Sequence, residues 1–267
     1  MARKAIFITG GASGIGRAVA QRFGREGWFV GIADINEAGM AETAALLPAG
    51  ASSIHKLDVR DRAAWDAALA DFARAAGGGI DVVFNNAGIP IGGQLADLGV
   101  DEVERTLDIN LKGVIFGAQA AYPWLKRSAP GSCLLNTASA AGIYGTPGAS
   151  VYTATKFGVR GLTESLDAEW APDGIEVRDL MPGFIDTPLL DHAPNRASNE
   201  DIRGRVKEAG LEITPVSQVA DAAWAAIHGQ TLHTLVGATA RKLAFGARWL
   251  PGRVRKQGRA SLRPLGG

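Results

Sequence analysis

The sequence predicts an α/β fold: a single domain on a doubly wound, mostly parallel sheet of about seven strands with helices on both faces. Three observations predict it. Short apolar, β-branched runs alternate with longer helical patterns, the order that repeated βαβ units impose. Runs such as VVF, FVGIA and CLL are almost unbroken in apolar residues, as strands covered on both faces require. A chain of 267 residues can bury one sizeable core, and neither an internal repeat nor a low-complexity linker marks a boundary in it.

The first strand is KAIFIT. It ends in TGGASGIG, from Thr9 to Gly16, and the helix IGRAVAQRFGREG starts at once. A glycine-rich turn between a first strand and its helix lets the backbone approach a pyrophosphate, whose charge the helix N-terminus favours. This placement is the dinucleotide-binding signature of a Rossmann fold, carried here by Gly10, Ser13, Gly14, Ile15 and Gly16. The second strand, WFVGIA, ends at Asp34, about 20 residues past the glycines, where a carboxylate can accept bonds from both adenine-ribose hydroxyls. That carboxylate repels a 2′-phosphate. The next residue is Ile35 rather than an arginine, and Ser13 adds no cation to the loop, so the cofactor is read as NAD rather than NADP.

The helix EAGMAETAALL follows, with Asn36 available to cap it. The third strand, SSIHKLDV, is closed by Asp58, with Val59 just beyond, and RAAWDAALADFARAA is the next helix. The fourth strand, IDVVFNN, runs into NNAG, from Asn85 to Gly88; beside Asn86, the small Ala87 and Gly88 leave room for a cofactor against the backbone. Ligands of open α/β sheets bind beyond the carboxyl ends of the strands, so the first four strand ends can meet around one dinucleotide. A long helical segment from about 103 to 127 is interrupted by Asn110 in LDINLKG, a poor helix former at which a local distortion is expected. The fifth strand, SCLLNT, precedes Ser139. The helix SVYTATKFGVRGLTESLDAEW then carries Tyr152 and Lys156 four residues apart, on one face. IEVRDLMP is the sixth strand, VSQVADAAWAAIHG a further helix, and HTLVG the seventh strand.

A phenol has an ordinary pKa of about 10 and is a poor base at neutral pH unless a neighbour stabilises the phenolate. Lys156, one helical turn from Tyr152, supplies such a charge, and Ser139 can hold a substrate oxygen beside the phenol. With TGGASGIG, NNAG, Asn110, Ser139, the Tyr152-Thr-Ala-Thr-Lys156 segment and PGFIDTP in this order, residues 4 to 237 resemble the short-chain dehydrogenase/reductase family. The resemblance implies hydride transfer between a secondary alcohol or ketone and nicotinamide, with Tyr152 exchanging the hydroxyl proton. It implies that Lys156 also bonds the nicotinamide ribose, that Asn110 holds a water on a proton path, and that Thr187 bonds the carboxamide. Cofactor contacts are expected at Ile35, Asp58, Val59, Tyr152, Pro182, Gly183 and Ile185 as well. A substrate lid over about residues 187–214 and a homo-oligomer, dimer or tetramer, are implied in the same way. Ile143, Tyr144, Leu189, Leu190 and His192 are candidate substrate contacts; the first two would form an apolar wall that suits a lipophilic or aromatic substrate. The alternatives are an NADP-dependent ketoreductase and a dinucleotide-binding regulatory protein without turnover.

Other chemistries find little support. Ser139 lacks a G-x-S-x-G setting, and the four histidines and single cysteine are scattered, which suits neither a serine hydrolase nor a metal site. Cys133, within an apolar run, reads as a buried structural thiol. No stretch approaches a membrane span, no signal-peptide region precedes the first strand, and one cysteine permits no internal disulfide, so a cytoplasmic location is the expectation. The net charge of +1 is unevenly spread. Residues 241–267 hold eight cations (Arg241, Lys242, Arg248, Arg253, Arg255, Lys256, Arg259, Arg263) and no acid, leaving residues 1–240 with a net of −7. The main domain is therefore drawn at 1–240 and a basic, amphipathic tail at 241–267, with Leu243, Ala247, Leu250 and Val254 on its apolar side and a break expected at Pro251. The tail is read as docking on its own body or a neighbouring subunit, in preference to a membrane surface. Nucleic acid is not an expected partner, because no recognition module accompanies the charge.

Overall fold

The computed structural model describes residues 3–195 and 201–261. In chain order the elements are β1 (Ala5–Thr9), α1 (Gly14–Arg25), β2 (Phe29–Asp34), α2 (Glu37–Ala45), β3 (Ser52–Lys56), α3 (Arg62–Ala75) and β4 (Val82–Asn85). There follow α4 (Val100–Leu107), α5 (Gly113–Ser128), β5 (Ser132–Thr137), α6 (Ser150–Trp170) and β6 (Ile175–Pro182). The chain continues through β7 (Phe184–Ile185), α7 (Ile202–Glu208), β8 (Ile213–Thr214), α8 (Val216–His228), β9 (His233–Val236), α9 (Ala238–Trp249) and α10 (Pro251–Ser261).

Seven strands form one parallel sheet in the order β3-β2-β1-β4-β5-β6-β9, while β7 and β8 pair separately. The period of two sorts side chains to its faces. Ile6, Ile8, Phe84 and Leu135 join a core closed by Val19 and Phe23 of α1 and by Val219 and Ala223 of α8. Phe7, Val83 and Leu134 join the opposite core, closed by Trp65 and Phe72 of α3, Ala121 and Leu125 of α5, and Leu166 and Trp170 of α6. Each large side chain buried this way stabilises the fold by about 1.5–3 kcal/mol. The chain order reverses between β1 and β4, and the crevice beyond their carboxyl ends is the ligand position of such sheets.

Two boundaries differ from the sequence reading. β3 ends at Lys56, two residues before Asp58, because the Asp58 carboxylate accepts the Arg60 N–H (3.0 Å) in a local turn that ends the ladder. The long helix is two α-helices joined by a π-turn over Asp108–Lys112, with Asn110 in its middle. Within the expected lid lie a short 3₁₀ turn (Pro188–Asp191), α7 and β8; residues 196–200 of that span lie outside the described residues. The tail forms α9 and α10, which Pro251 separates by standing at the first position of α10, where its missing N–H costs nothing. Arg263 lies outside the described residues.

Candidate active site

The carboxyl end of β1 opens into a turn of glycines and small side chains. Gly14 has φ +51°, and a Cβ on Gly16 would stand 2.2 Å from the Gly10 carbonyl oxygen, so larger residues cannot make this bend. Ser13 occupies the N-cap of α1 yet its side chain caps nothing. The first-turn N–H groups therefore keep their partial positive charge available to an anion. Thr187 lies over the turn, its Cβ 3.3 Å from the position a Gly14 Cβ would take. A bare, uncapped helix N-terminus roofed by a threonine fits the pyrophosphate of a dinucleotide.

At the end of β2, Asp34 is held by two main-chain donors: the N–H of Ala12 (3.2 Å) and the N–H of Asn36 (3.0 Å). Asn36, not Asp34, caps α2 by accepting the Gly39 N–H. Ile35 is exposed. Arg17 is spent elsewhere, bonding the Ala12 carbonyl (2.6 Å), Thr43 Oγ1 (2.9 Å) and Glu42 (2.8 Å). Asp58 is gripped by the Arg60 guanidinium, which holds its carboxyl below the usual carboxylate range. The Val59 side chain points into the core beside Trp65, and that of Ile185 is likewise buried, so their side chains do not reach the cleft.

The other strand ends are laced together through the hydroxyls of Thr9 and Thr137, to which the sequence reading gave no role. Thr9 Oγ1 accepts the N–H of Asn86 (3.0 Å) and of Ala87 (3.1 Å), while Asn86 Nδ2 donates to the Thr9 carbonyl (2.9 Å). Thr137 Oγ1 donates to Asn86 Oδ1 at 3.2 Å, so β1, β4 and β5 end in one network. A hydroxyl residue closing a buried apolar strand, as Thr9 and Thr137 do, was the available signal.

Ser139, Tyr152 and Lys156 come together beyond β5. The Ser139 hydroxyl accepts the Ala141 N–H (3.1 Å), which fixes its oxygen and leaves its proton to donate. Desolvation pushes the Tyr152 phenol above its ordinary value, and a hydrogen bond with Ser139 pulls it back. Lys156 Nζ donates to the Thr137 carbonyl (2.7 Å) and stands 5.5 Å from the Tyr152 ring centroid; burial pushes its pKa down to about 8. Asn110 is fully buried, with both amide atoms bound to Ile89: Nδ2 donates to its carbonyl (2.9 Å) and Oδ1 accepts its N–H (2.8 Å). Asn110 thus anchors the chain just past Gly88, in a π-turn that replaces one regular helical turn.

The substrate candidates divide. Ile143 and Tyr144 are half-buried on the turn leading to α6, Leu190 is buried, Leu189 is exposed on the 3₁₀ turn, and His192 is exposed just after it. Three loops meet above them. Gly92 donates to the Pro194 carbonyl (2.8 Å), Asn195 Nδ2 to the Gly92 carbonyl (2.5 Å), and the Gly93 N–H to the Gly148 carbonyl (2.7 Å). Arg203 of α7 braces the lid stem through Asp186 and Asp191, both at 2.6 Å. Cys133 is buried and its thiol is pushed up to about 12, which makes it inert.

A profile of the short chain dehydrogenase family matches residues 4–197. A 3-alpha-(or 20-beta)-hydroxysteroid dehydrogenase of Mycobacterium bovis is 42% identical over 192 residues, 72% of each protein. A meso-2,3-butanediol dehydrogenase of Serratia marcescens is 32% identical over 205 residues, 77% of this chain and 78% of that protein. Among solved structures, a short chain dehydrogenase/reductase from Burkholderia phymatum in complex with NAD aligns with a TM-score of 0.83 at 25% identity, covering 99% of this chain and 98% of that one.

Proposed function

The chain belongs to the short chain dehydrogenase family and is an oxidoreductase of that family, and on this premise we propose that it uses NAD to interconvert a secondary alcohol and its ketone. The observation that carries the reading is the meeting of Ser139, Tyr152 and Lys156 beyond β5, beside the bare turn of α1. The preference for NAD rests on Asp34, fixed by two N–H donors, and on Arg17, whose guanidinium is already taken by α2 and the Ala12 carbonyl. Neither side chain offers a cation to a 2′-phosphate.

The chemistry a bound nicotinamide supplies is hydride exchange at the substrate carbon. The remaining work falls to the chain's own residues. Ser139 donates its proton to the substrate oxygen and holds it against the Tyr152 hydroxyl. In oxidation Tyr152 takes the substrate's hydroxyl proton; in reduction it gives that proton back. Lys156, whose Nζ stands 5.5 Å from the Tyr152 ring centroid, is the cation that would favour phenolate over phenol, against the desolvation that raises the phenol. The Asn110 side chain anchors Ile89 through both amide atoms, and Asn110 would also hold the water of the proton path that the family resemblance implies.

A lipophilic or aromatic substrate is supported by half-buried Ile143 and Tyr144, and by the hydroxysteroid dehydrogenase that is 42% identical. The test is reduction of NAD and of NADP with steroid, aromatic and aliphatic secondary alcohols, alongside Tyr152→Phe. The expected result is turnover with NAD and a loss of at least about a hundredfold in the variant, the usual weight of a positioned proton donor. Substantial turnover surviving in Tyr152→Phe would refute the mechanism.

A further inference from the structure

We propose that the C-terminal helix pair, α9 and α10, docks the protein on an anionic lipid surface. The pair has two unlike faces. Its inner side carries the half-buried Leu243, Ala244, Ala247 and Val254, and α9 packs on β9 and on the Ala140–Gly142 turn. A Cβ on Gly246 would lie 2.9 Å from Val254, which is why the two helices can cross so closely there. Gly258 brings α10 against Pro147 of the loop before α6. The tail is thus seated on its own body through one face.

That seating leaves the other face unsatisfied. Phe245 is 61% exposed, Trp249 63% and Leu250 43%, and they gather where α9 turns into α10. Around them stand Arg241, Lys242, Arg248, Arg253, Arg255, Lys256 and Arg259, with no acid from 241 onward. Arg248 lies over the Trp249 ring at 5.3 Å, and none of these cations forms an ion pair with another described residue. Aromatic and leucyl side chains ringed by cations suit the headgroup region of a negatively charged bilayer. Among the described residues no helix is long and apolar enough to cross a membrane, so the contact is one of lying on the surface.

A second copy of the chain is the rival occupant, since the body is acidic. Part of its acidic surface is already engaged: Glu37, Glu42, Asp66, Asp108, Asp186 and Asp191 pair with the body's own cations. A lipid headgroup has no such prior partner. The helix pair also sits on the carboxyl side of the sheet, against the turn that follows Ser139, so docking would place the substrate side at the bilayer.

The experiment is co-sedimentation of the full chain with phosphatidylcholine vesicles, with and without phosphatidylglycerol at about 30% of the lipid. Binding is expected with the anionic vesicles and is expected to fall as salt is raised past the Debye screening regime. Arg253→Gln and Lys256→Gln should each weaken it roughly fivefold. Joint replacement of Phe245 and Trp249 by alanine should weaken it roughly tenfold or more while leaving the melting temperature unchanged, because both side chains are exposed. The idea is overturned if anionic vesicles fail to bind the protein, or if these substitutions leave binding unchanged. It is equally overturned if the aromatic variant only changes oligomer size in sedimentation velocity, which would make the face a subunit contact. Vesicle binding needs no turnover, so its outcome is independent of the dehydrogenase assay.

Discussion

Lys156 shows what burying an ammonium costs a fold. The side chain is 4% exposed, and burial lowers its ammonium from an ordinary 10.5 to about 8. That difference is worth about 3 kcal/mol, part of it offset by the bond to the Thr137 carbonyl. Between pH 8 and 10.5 the unfolded chain holds this proton and the folded chain has lost it, so the group's contribution to stability rises with pH across that window. Lys156→Met keeps the stem and removes the charge. Without cofactor, the variant is expected to melt higher than wild type at pH 7, by about 1–2 kcal/mol, while losing turnover. The gap should shrink toward pH 10. Thermal melts of both proteins across this range check it, and the comparison cancels the opposite slope from Cys133, whose buried thiol ionises later than its ordinary 9.0. A variant that melts lower than wild type at pH 7 would sink the argument. Residues of this kind were readable from type and spacing. Thr9 and Thr137 offered only the faint signal of a hydroxyl closing an apolar strand, because their contribution is to join three strand ends that only the folded sheet brings together.

At the scale of elements, α6 is tied to β6 and β9 by a chain of polar groups away from Tyr152 and Lys156. His233 Nδ1 bonds Asp179 (2.9 Å), whose side chain is fully buried, and His233 Nε2 bonds Glu164 of α6 (3.1 Å), which also pairs with Arg160. The bond to Asp179 raises the His233 pKa above its ordinary 6.5, against the opposing effect of burial, and burial raises Asp179 as well. Both shifts have the same sign. The stabilisation is fully present below about pH 6.5 and is lost as pH rises through the raised value of His233. His233→Gln is therefore expected to cost about 2 kcal/mol at pH 6, less at pH 8, and to flatten the stability profile between them. Denaturant titrations at the two pH values measure this; an equal loss at both would show that the charge on His233 is immaterial. The helices other than the short α7, and the seven sheet strands, were legible because each is a long periodic segment or a continuous apolar run. The π-turn was foreshadowed by Asn110. The pairing of β7 with β8 had no such signal, since two strands of two residues each exist only through the lid's tertiary placement.

The whole molecule is a sheet in two halves that a dinucleotide would bridge. Asp34 ends β2 on one side of the β1/β4 switch point, and Lys156 is held by the end of β5 on the other, with the α1 turn between them. A ligand touching all three binds only the folded chain, because no local segment contains more than one of them. Ligand at a hundred times its dissociation constant then adds about 2.7 kcal/mol of stability. For a chain of this size each kcal/mol moves the melting temperature by about 2–4 °C, so a rise of about 5–10 °C is expected with NAD. NADP is expected to give much less at equal concentration, because the Asp34 carboxylate would meet a 2′-phosphate and its cross-strand neighbour Lys56 is already paired with Glu37. Gly16→Ala is expected to abolish the shift, since its Cβ would meet the Gly10 carbonyl at 2.2 Å and force the phosphate turn open. Melting curves with each nucleotide, at matched multiples of concentration, separate the two halves of this argument. Equal shifts from NAD and NADP would remove Asp34 as the selector while leaving the cradle intact, and no shift from either would remove the cradle itself.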